Sequence, residues 1–330
     1  MMRPRLVFVH GIGGPRDPVR ELTGWTRALA SGMHAAGHSQ LATALAAGSA
    51  ADCVFAYYGD LFQQAQAQGA ADSLPEEAEA EVFADFLVAW VDASLDMDDV
   101  DGQDRRMLEQ ARAEAVAHDQ AQGSLDVVRR ALNVVTTVLE LKPWNAAAQW
   151  ITPKVMVRHL AQVARYLARS EVDADGVALD RRIRARVAAA IGDEPAVLVA
   201  HSLGTIVALE TLHEPKRLAQ PVIPLFVTLG SPIGLRTVVW PRLLPQPPSA
   251  PEGTTGWLNF WDRDDIIAVR PHLERHVRAN RAGVVPHSRR VDSDGIWVHS
   301  ADKYLAQPAV AGPIAEALIS ASGGSWADRA

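Results

Sequence analysis

The sequence predicts an α/β fold with a mainly parallel sheet covered by helices on both faces. Three observations carry that expectation. Short apolar runs such as Leu6-Val7-Phe8-Val9 and Ala196-Val197-Leu198-Val199-Ala200 read as strands buried on both faces. Each run enters a tight glycine-containing turn and then a segment of helical periodicity. The alternation occupies both ends of the chain, with a long helical stretch between them.

Taken in order, Leu6–Val9 is a strand bounded by Pro4 and Gly11, followed by the loop His10-Gly11-Ile12-Gly13-Gly14-Pro15. A helix is expected from Glu21 to Met33, and a second strand from Cys53 to Tyr58, closed by Gly59-Asp60. From Leu61 to about Arg169 the composition shifts to Ala, Gln, Glu, Asp and Arg at helical spacing. Helices are expected over Pro75–Ser94, Gln103–Gln120, Leu125–Leu141 and Lys154–Ser170, punctuated by Pro75, Gly102, Gly123, Pro143 and Pro153. The domain division is therefore a core of residues 1–60 and 171–330 with a helical insertion, or cap, over 61–170. After the insertion come a helix at Asp180–Ile191, a strand at Ala196–Ala200 and a helix at Thr205–Leu212. Strands follow at Val222–Leu229, Gly256–Trp261 and near Ser288–Asp292, with one closing helix from Asp302 to Ser320.

Composition narrows the function. The 330 residues are 48% hydrophobic and 22% charged, with a net charge of −7. Such a chain is not intrinsically disordered. The negative balance and the lack of a Lys/Arg-rich block argue against a nucleic-acid partner. One cysteine, Cys53, excludes an intramolecular disulfide and fits a reducing compartment. The first residues lack the run of about 7–15 apolar residues of a secretory signal, and no apolar run approaches the ~20 residues of a membrane span. The expected location is cytoplasmic.

The strongest chemical signal is Ala200-His201-Ser202-Leu203-Gly204, set between a strand and a helix. A serine hydroxyl becomes a nucleophile when it is exposed, aimed and deprotonated by a neighbour. A sharp strand-to-helix turn presents Ser202, and the small residues Ala200 and Gly204 let strand and helix approach. Ala200 departs from the usual G-x-S-x-G by one methyl group. The rival reading is that Ser202 caps the helix. His201 is assigned a supporting role rather than that of base. The second signal is the loop beginning at His10. Acyl transfer requires backbone N–H groups aimed at the developing oxyanion, and the N–H groups of Ile12 and Leu203 are the two candidates. A phosphate-binding loop is disfavoured, because the G-x-G-x-x-G spacing and a following Lys-Ser/Thr are both missing.

LVFVHGIGG, VAHSLGT, VTLGSP and NFWDRDDIIA, in this order and spacing, resemble the α/β-hydrolase superfamily, especially its lipase-like and esterase-like serine hydrolases. The resemblance covers residues 5–60 and 180–320. It implies an α/β-hydrolase fold, an oxyanion hole at Ile12 and Leu203 with His10, Gly11 and Gly204 in support, and a serine, acid and histidine in that chain order.

Asp262, Asp264 and Asp265 are the candidate acids, all in the turn after WLNFWD. Asp265 is preferred because Asp265-Ile266-Ile267-Ala268 resembles a D-x-V-A ending of lipase-like relatives; Asp262 is kept as a supporting residue and runner-up. His299 is the preferred base, from its place between the last strand and the final helix, with His287 as the alternative. His272 and His276, four apart on one expected helix face, read as a surface pair, since H-E-x-x-H is not present. Ser231, before Pro232, shapes the floor near the acid loop. Asp96–Gly102 lacks the ligand positions of a calcium loop and reads as a solvated turn.

The resemblance and the residues together imply a serine hydrolase acting on an ester, thioester or amide, with no metal and no organic cofactor, and a small-molecule, acyl or lipid substrate. An acyltransferase with the same triad and a non-catalytic protein binding a partner through its insertion are the alternatives. Val127, Val128, Leu132, Val135, Val138, Leu139, Trp144 and Trp150 suit a cap packed on the core, an acyl-chain, partner or peripheral lipid contact, or plain helix packing. The loop Pro241–Pro251 is the other expected rim element. Oligomeric state is left open.

Overall fold

The computed structural model describes residues 3–12, 17–65, 77–96, 100–116, 133–138, 153–214, 222–265, 267–268, 271–293 and 298–323. Among the described residues six strands form one sheet: β1 (Arg5–Val9), β2 (Asp52–Ala56), β3 (Ala196–His201), β4 (Phe226–Leu229), β5 (Trp257–Asp262) and β6 (Pro286–Val291). Their order is β2-β1-β3-β4-β5-β6, and every neighbouring pair is parallel. The fold is therefore mixed α/β with an all-parallel sheet.

The strand sequences explain the order. β3 and β4 are buried at every position, as strands covered on both faces must be. The edge strands are more polar. β2 starts on exposed Asp52, and β6 carries Ser288, Arg289 and Arg290, which keep an open edge from pairing with another chain.

The described residues divide into two compact units. The first comprises Met1–Tyr58, Arg184–Pro232 and Leu244–Ala330, and holds the whole sheet. Its helices are α1 (Pro18–Ala35), α2 (Ser39–Ala46), α9 (Leu203–Leu212), α10 (Ala301–Leu305) and α11 (Pro308–Ala321). Asp17 caps α1 by accepting from Val19 N and Arg20 N, with Pro18 at the first helical position. Trp25, Leu29 and Met33 of α1 join Leu6, Phe8, Val197, Val199, Val227, Tyr304 and Ile314 in one core. Gly32 allows a close approach: a Cβ there would lie 2.4 Å from Leu305 O. All 10 residues of α9 are buried, which fits its mainly apolar sequence, interrupted by Thr205, Glu210 and Thr211.

The second unit comprises Gly59–Ile183 and Ile233–Leu243. It holds α3 (Leu61–Ala65), α4 (Glu77–Leu95), α5 (Gly102–Val116), α6 (133–138) and α7 (Pro153–Ala168). The boundary between units falls inside α8 (Leu179–Ile191). Helix α4 packs on α5 and α7, and its Phe83, Phe86, Leu87 and Trp90 are buried. Arg242 Nη2 pairs with Asp85 at 2.7 Å, and Arg169 donates to Arg242 O at 2.7 Å, so segment 233–243 is tied to this unit. In α6, Val134, Val135 and Val138 are buried. Val127, Val128, Leu132, Leu139, Trp144 and Trp150 lie outside the described residues, as do residues 97–99 of the Asp96–Gly102 turn. Among the described residues, no helix is long and apolar enough to cross a membrane.

Four elements differ from the sequence reading, each for a local reason. β4 starts at Phe226 rather than Val222, because Pro224 has no N–H; Ile223 makes only an isolated bridge to Thr254. β2 ends at Ala56, because Tyr58 N donates to His10 Nε2 instead of to a strand. The closing helix is two helices: Pro308 cannot supply the N–H that would continue α10, and it starts α11 instead. Helix α2, which the sequence reading leaves unassigned, buries Leu41, Ala42 and Leu45. In addition, His272 and His276 do not share a helix face. They flank the 3-10 turn Leu273–Arg275, with His272 Nδ1 3.2 Å from Glu274 Oε1.

Candidate active site

A parallel sheet places the carboxyl ends of all its strands on one edge. From β1 the chain crosses to β2 on one side; from β3 it crosses to β4 on the other. The loops after β1 and β3 therefore diverge and open a crevice between two adjacent strands, the usual place for a ligand in such sheets. His10 and Gly11 lie at the end of β1, and Ser202 at the end of β3. Gly230 and Ser231 follow β4, Asp262 and Asp265 close β5, and His299 comes after β6.

Ser202 stands at the turn from β3 into α9 with φ 55° and ψ −130°. A positive φ in a residue with a Cβ costs about 1–3 kcal/mol and persists when the surroundings enforce it. Those surroundings are on both sides of the turn. Ser202 N donates to Leu229 O at 3.0 Å, and Ser202 O accepts from Thr205 N at 2.9 Å and Thr205 Oγ1 at 2.7 Å. Ser231 Oγ completes the chain by donating to Thr205 Oγ1 at 2.8 Å. The Ser202 side chain makes no capping hydrogen bond to α9, so the capping reading of this serine fails.

Two glycines allow the crossing. A Cβ on Gly204 would lie 2.3 Å from His10 O and 2.6 Å from Val9 O, so α9 can start against β1 only without a side chain there. A Cβ on Gly11 would lie 2.6 Å from Ser202 Cβ and 3.1 Å from Ser202 Oγ. The loop after β1 therefore passes directly against the serine side chain.

His299 Nε2 is 3.0 Å from Ser202 Oγ, and His299 Nδ1 is 2.8 Å from Asp265 Oδ2. Three side chains from distant parts of the sequence form one hydrogen-bonded line. Asp265 is fully buried. Burial pushes its carboxyl up, but the charge and hydrogen bond of His299, with hydrogen bonds from Tyr304 and Ile267 N, outweigh burial and hold it below its ordinary value. Ser202 is 1% exposed.

The neighbouring carboxylates have other partners. Asp262 is buried, and its two oxygens accept from Asp264 N and Ser293 N, fastening the turn after β5 to the chain after β6. Asp264 faces solvent beside Arg263; its partial burial, then the Asp262 charge, raises its carboxyl. His287 is exposed on the edge strand β6. None of these three side chains bonds His299 in the structure, whereas Asp265 does.

His10 is buried under stacked rings, 4.1 Å between centroids from Tyr58 and 5.4 Å from Phe55. Its Nε2 accepts from Tyr58 N at 3.1 Å, so the proton sits on Nδ1, which donates to Gly11 O at 2.6 Å. Tyr58 Oη donates to His10 O. This histidine thus stiffens the backbone that leads to Ile12. Leu203 is the first residue of α9, and its N–H precedes any acceptor within the helix. Ile12 is buried; Gly13 to Arg16 lie outside the described residues. The His201 ring packs 4.6 Å from the His299 ring and edge-on to Trp25, flanking the line.

Two residues beside the line are given no role by the sequence reading, although Gly230 lies within VTLGSP. Gly230 has φ 53°, and a Cβ there would lie 2.6 Å from Asp265 Oδ2 and 3.1 Å from His299 Nδ1. Tyr304 donates to Asp265 Oδ2 at 2.7 Å and accepts from Asp262 N at 3.0 Å. Burial first, then the Asp265 charge, drives its phenol well above the ordinary value, so it stays a neutral donor. Cys53, on β2, is half-buried; burial above all pushes its thiol up to about 11, so it is not a reactive thiolate near neutrality. Among the described residues, no group of three or more His, Cys, Asp or Glu side chains is placed to hold a metal ion.

Comparison of the chain with protein-family models, with curated proteins and with solved structures finds no match.

Proposed function

We propose that the protein is a serine hydrolase of the α/β-hydrolase kind, cleaving an ester, thioester or amide through an acyl-enzyme intermediate. The observation that carries the reading is the line Ser202 Oγ, His299, Asp265 at 3.0 and 2.8 Å, built on a serine at positive φ. His299 Nε2 takes the hydroxyl proton as Ser202 Oγ bonds to the substrate carbonyl carbon. Asp265 keeps the Nδ1–H tautomer and balances the imidazolium that forms. The carbonyl oxygen becomes negative, and the N–H groups of Leu203 and Ile12 are the donors assigned to it, with the α9 N-terminus adding a favourable dipole. Collapse of this intermediate breaks the bond to the leaving group, which receives the proton from His299. Water then loses a proton to His299, attacks the acyl carbon and releases the acid, restoring Ser202. If another nucleophile replaces water in that step, the same line performs acyl transfer.

The test is intact mass after treatment with a fluorophosphonate probe. Wild type should gain one adduct, Ser202→Ala none, and His299→Ala should react at least ~100-fold more slowly, within the range that general-base catalysis contributes. Absence of the adduct on folded wild type, with and without mild detergent, would favour the non-catalytic binding reading. An adduct that persists in Ser202→Ala would place the reactive group elsewhere.

A further inference from the structure

We infer that Tyr304 is a positioning residue of this site, whose hydroxyl fixes the Asp265 oxygen facing His299 and shares that oxygen's charge with the imidazole. The inference rests on the proposed use of the Asp265–His299 pair.

Four observations support it. Tyr304 Oη and His299 Nδ1 meet the same carboxylate oxygen, Oδ2, at 2.7 and 2.8 Å. The other oxygen, Oδ1, accepts from Ile267 N at 2.9 Å, so the carboxylate is held at both ends and cannot rotate without breaking a bond. The phenol is itself oriented, because Asp262 N donates to it at 3.0 Å and leaves its one proton for Asp265. Tyr304 and Asp265 are both fully buried, where a hydrogen bond to a charge is strong and an unmet one costly. Asp262 thus acts at one remove: its backbone N–H aims the phenol, and its side chain pins the loop after β6.

The geometry gives a direction. Two donors on one oxygen divide its charge. Without the phenol, the Asp265 carboxylate is less stabilised and its proton affinity rises. It is also free to turn, so the imidazole is aimed less well. Among the described residues, the groups facing His299 are Asp265 from the turn after β5, His201 from the end of β3 and Ser202 itself. Those facing Asp265 are His299, Tyr304 from α10 and the backbone N–H of Ile267. Tyr304→Phe changes one of these and leaves the ring in place.

The experiment compares wild type, Tyr304→Phe and Val310→Ala, the last removing buried apolar atoms from neighbouring α11. Carboxyl NMR follows the Asp265 titration, a readout that needs no turnover, and fluorophosphonate labelling is measured as a function of pH. In Tyr304→Phe the Asp265 titration should move to higher pH, with the acid limb of labelling moving the same way. The labelling rate on the plateau should fall about tenfold, as loss of one hydrogen bond to a charged group predicts. Val310→Ala should unfold more easily but titrate as wild type. If Tyr304→Phe does not fold, Tyr304→3-fluorotyrosine keeps ring and hydroxyl and strengthens the donor, and the titration should then move to lower pH. An unchanged Asp265 titration in the folded variant, or an equal shift in Val310→Ala, overturns the inference. Wild type that shows the titration difference but takes no label would instead overturn the hydrolase reading and leave the assignment of Tyr304 standing.

Discussion

Gly230 shows how narrowly the His299–Asp265 pair is fitted. Its φ of 53° already disfavours any side chain, and the space a methyl would need is occupied by Asp265 Oδ2 and His299 Nδ1. Gly283 provides the comparison, with φ 80° and no atom within 4 Å of its Cβ position. Both alanine substitutions incur the left-handed backbone penalty, which exceeds ~1 kcal/mol. Gly230→Ala should in addition displace the imidazole and slow fluorophosphonate labelling about 100-fold, the scale of a 1 Å misplacement. Gly283→Ala should label as wild type. Equal labelling by the two variants would show that Gly230 does not crowd the pair. At the same scale, the choice among Asp262, Asp264 and Asp265 comes from hydrogen-bond partners. Asp262 is occupied by two backbone N–H groups, Asp264 faces water, and Asp265 faces His299.

Helix α9 is covered on every side. It begins at the strained serine, crosses β1 at Gly204 and is buried along its length. One charged residue, Glu210, breaks its apolar run. Its Oε2 is 3.2 Å from Arg184 Nη1 on α8, and its Oε1 accepts from Leu244 N at 3.0 Å. Arg184 also reaches Glu214 at 2.7 Å. Removing one member of a buried ion pair strands the other and typically costs about 3–5 kcal/mol. Glu210→Ala should fall at the lower end, about 3 kcal/mol, because Glu214 still faces Arg184. Urea unfolding of the variant measures this. A loss under about 1 kcal/mol, the worth of an exposed pair, would mean that the pair is solvated.

Across the whole molecule, the buried carboxylate couples folding to pH. An unfolded aspartate titrates near 3.9, and Asp265 in the fold titrates below its ordinary value. The unfolded chain therefore takes up this proton first as pH falls. The associated stability is fully present above the unfolded value and is lost as pH drops through the native one. Asp265→Asn has no such proton. The gap in unfolding free energy between wild type and Asp265→Asn should be constant from about pH 6 to pH 5 and shrink below about pH 4. Two curves that stay parallel down to pH 3 would show that Asp265 is not held as an anion.

The sequence by itself determined the parts that depend on neighbours along the chain. Apolar runs bounded by Gly and Pro located the buried strands, and the strand–turn–helix at Ala200–Gly204 located the serine, because the small residues and the turn lie within a few positions. Local pattern failed where one residue removed an N–H, as at Pro224 and Pro308, or gave it to a distant acceptor, as at Tyr58. Tertiary structure decided everything that needed register between strands. It showed which aspartate meets His299, and that Tyr304 bonds the same carboxylate oxygen. It also showed that Gly230 must lack a side chain, and that His10 supports the loop after β1 through Tyr58. These relations, together with the His299–Ser202 bond, join residues 34 to 97 positions apart. Contacts over such separations are set by how parallel strands align their carboxyl ends, and no periodicity along the chain records that alignment.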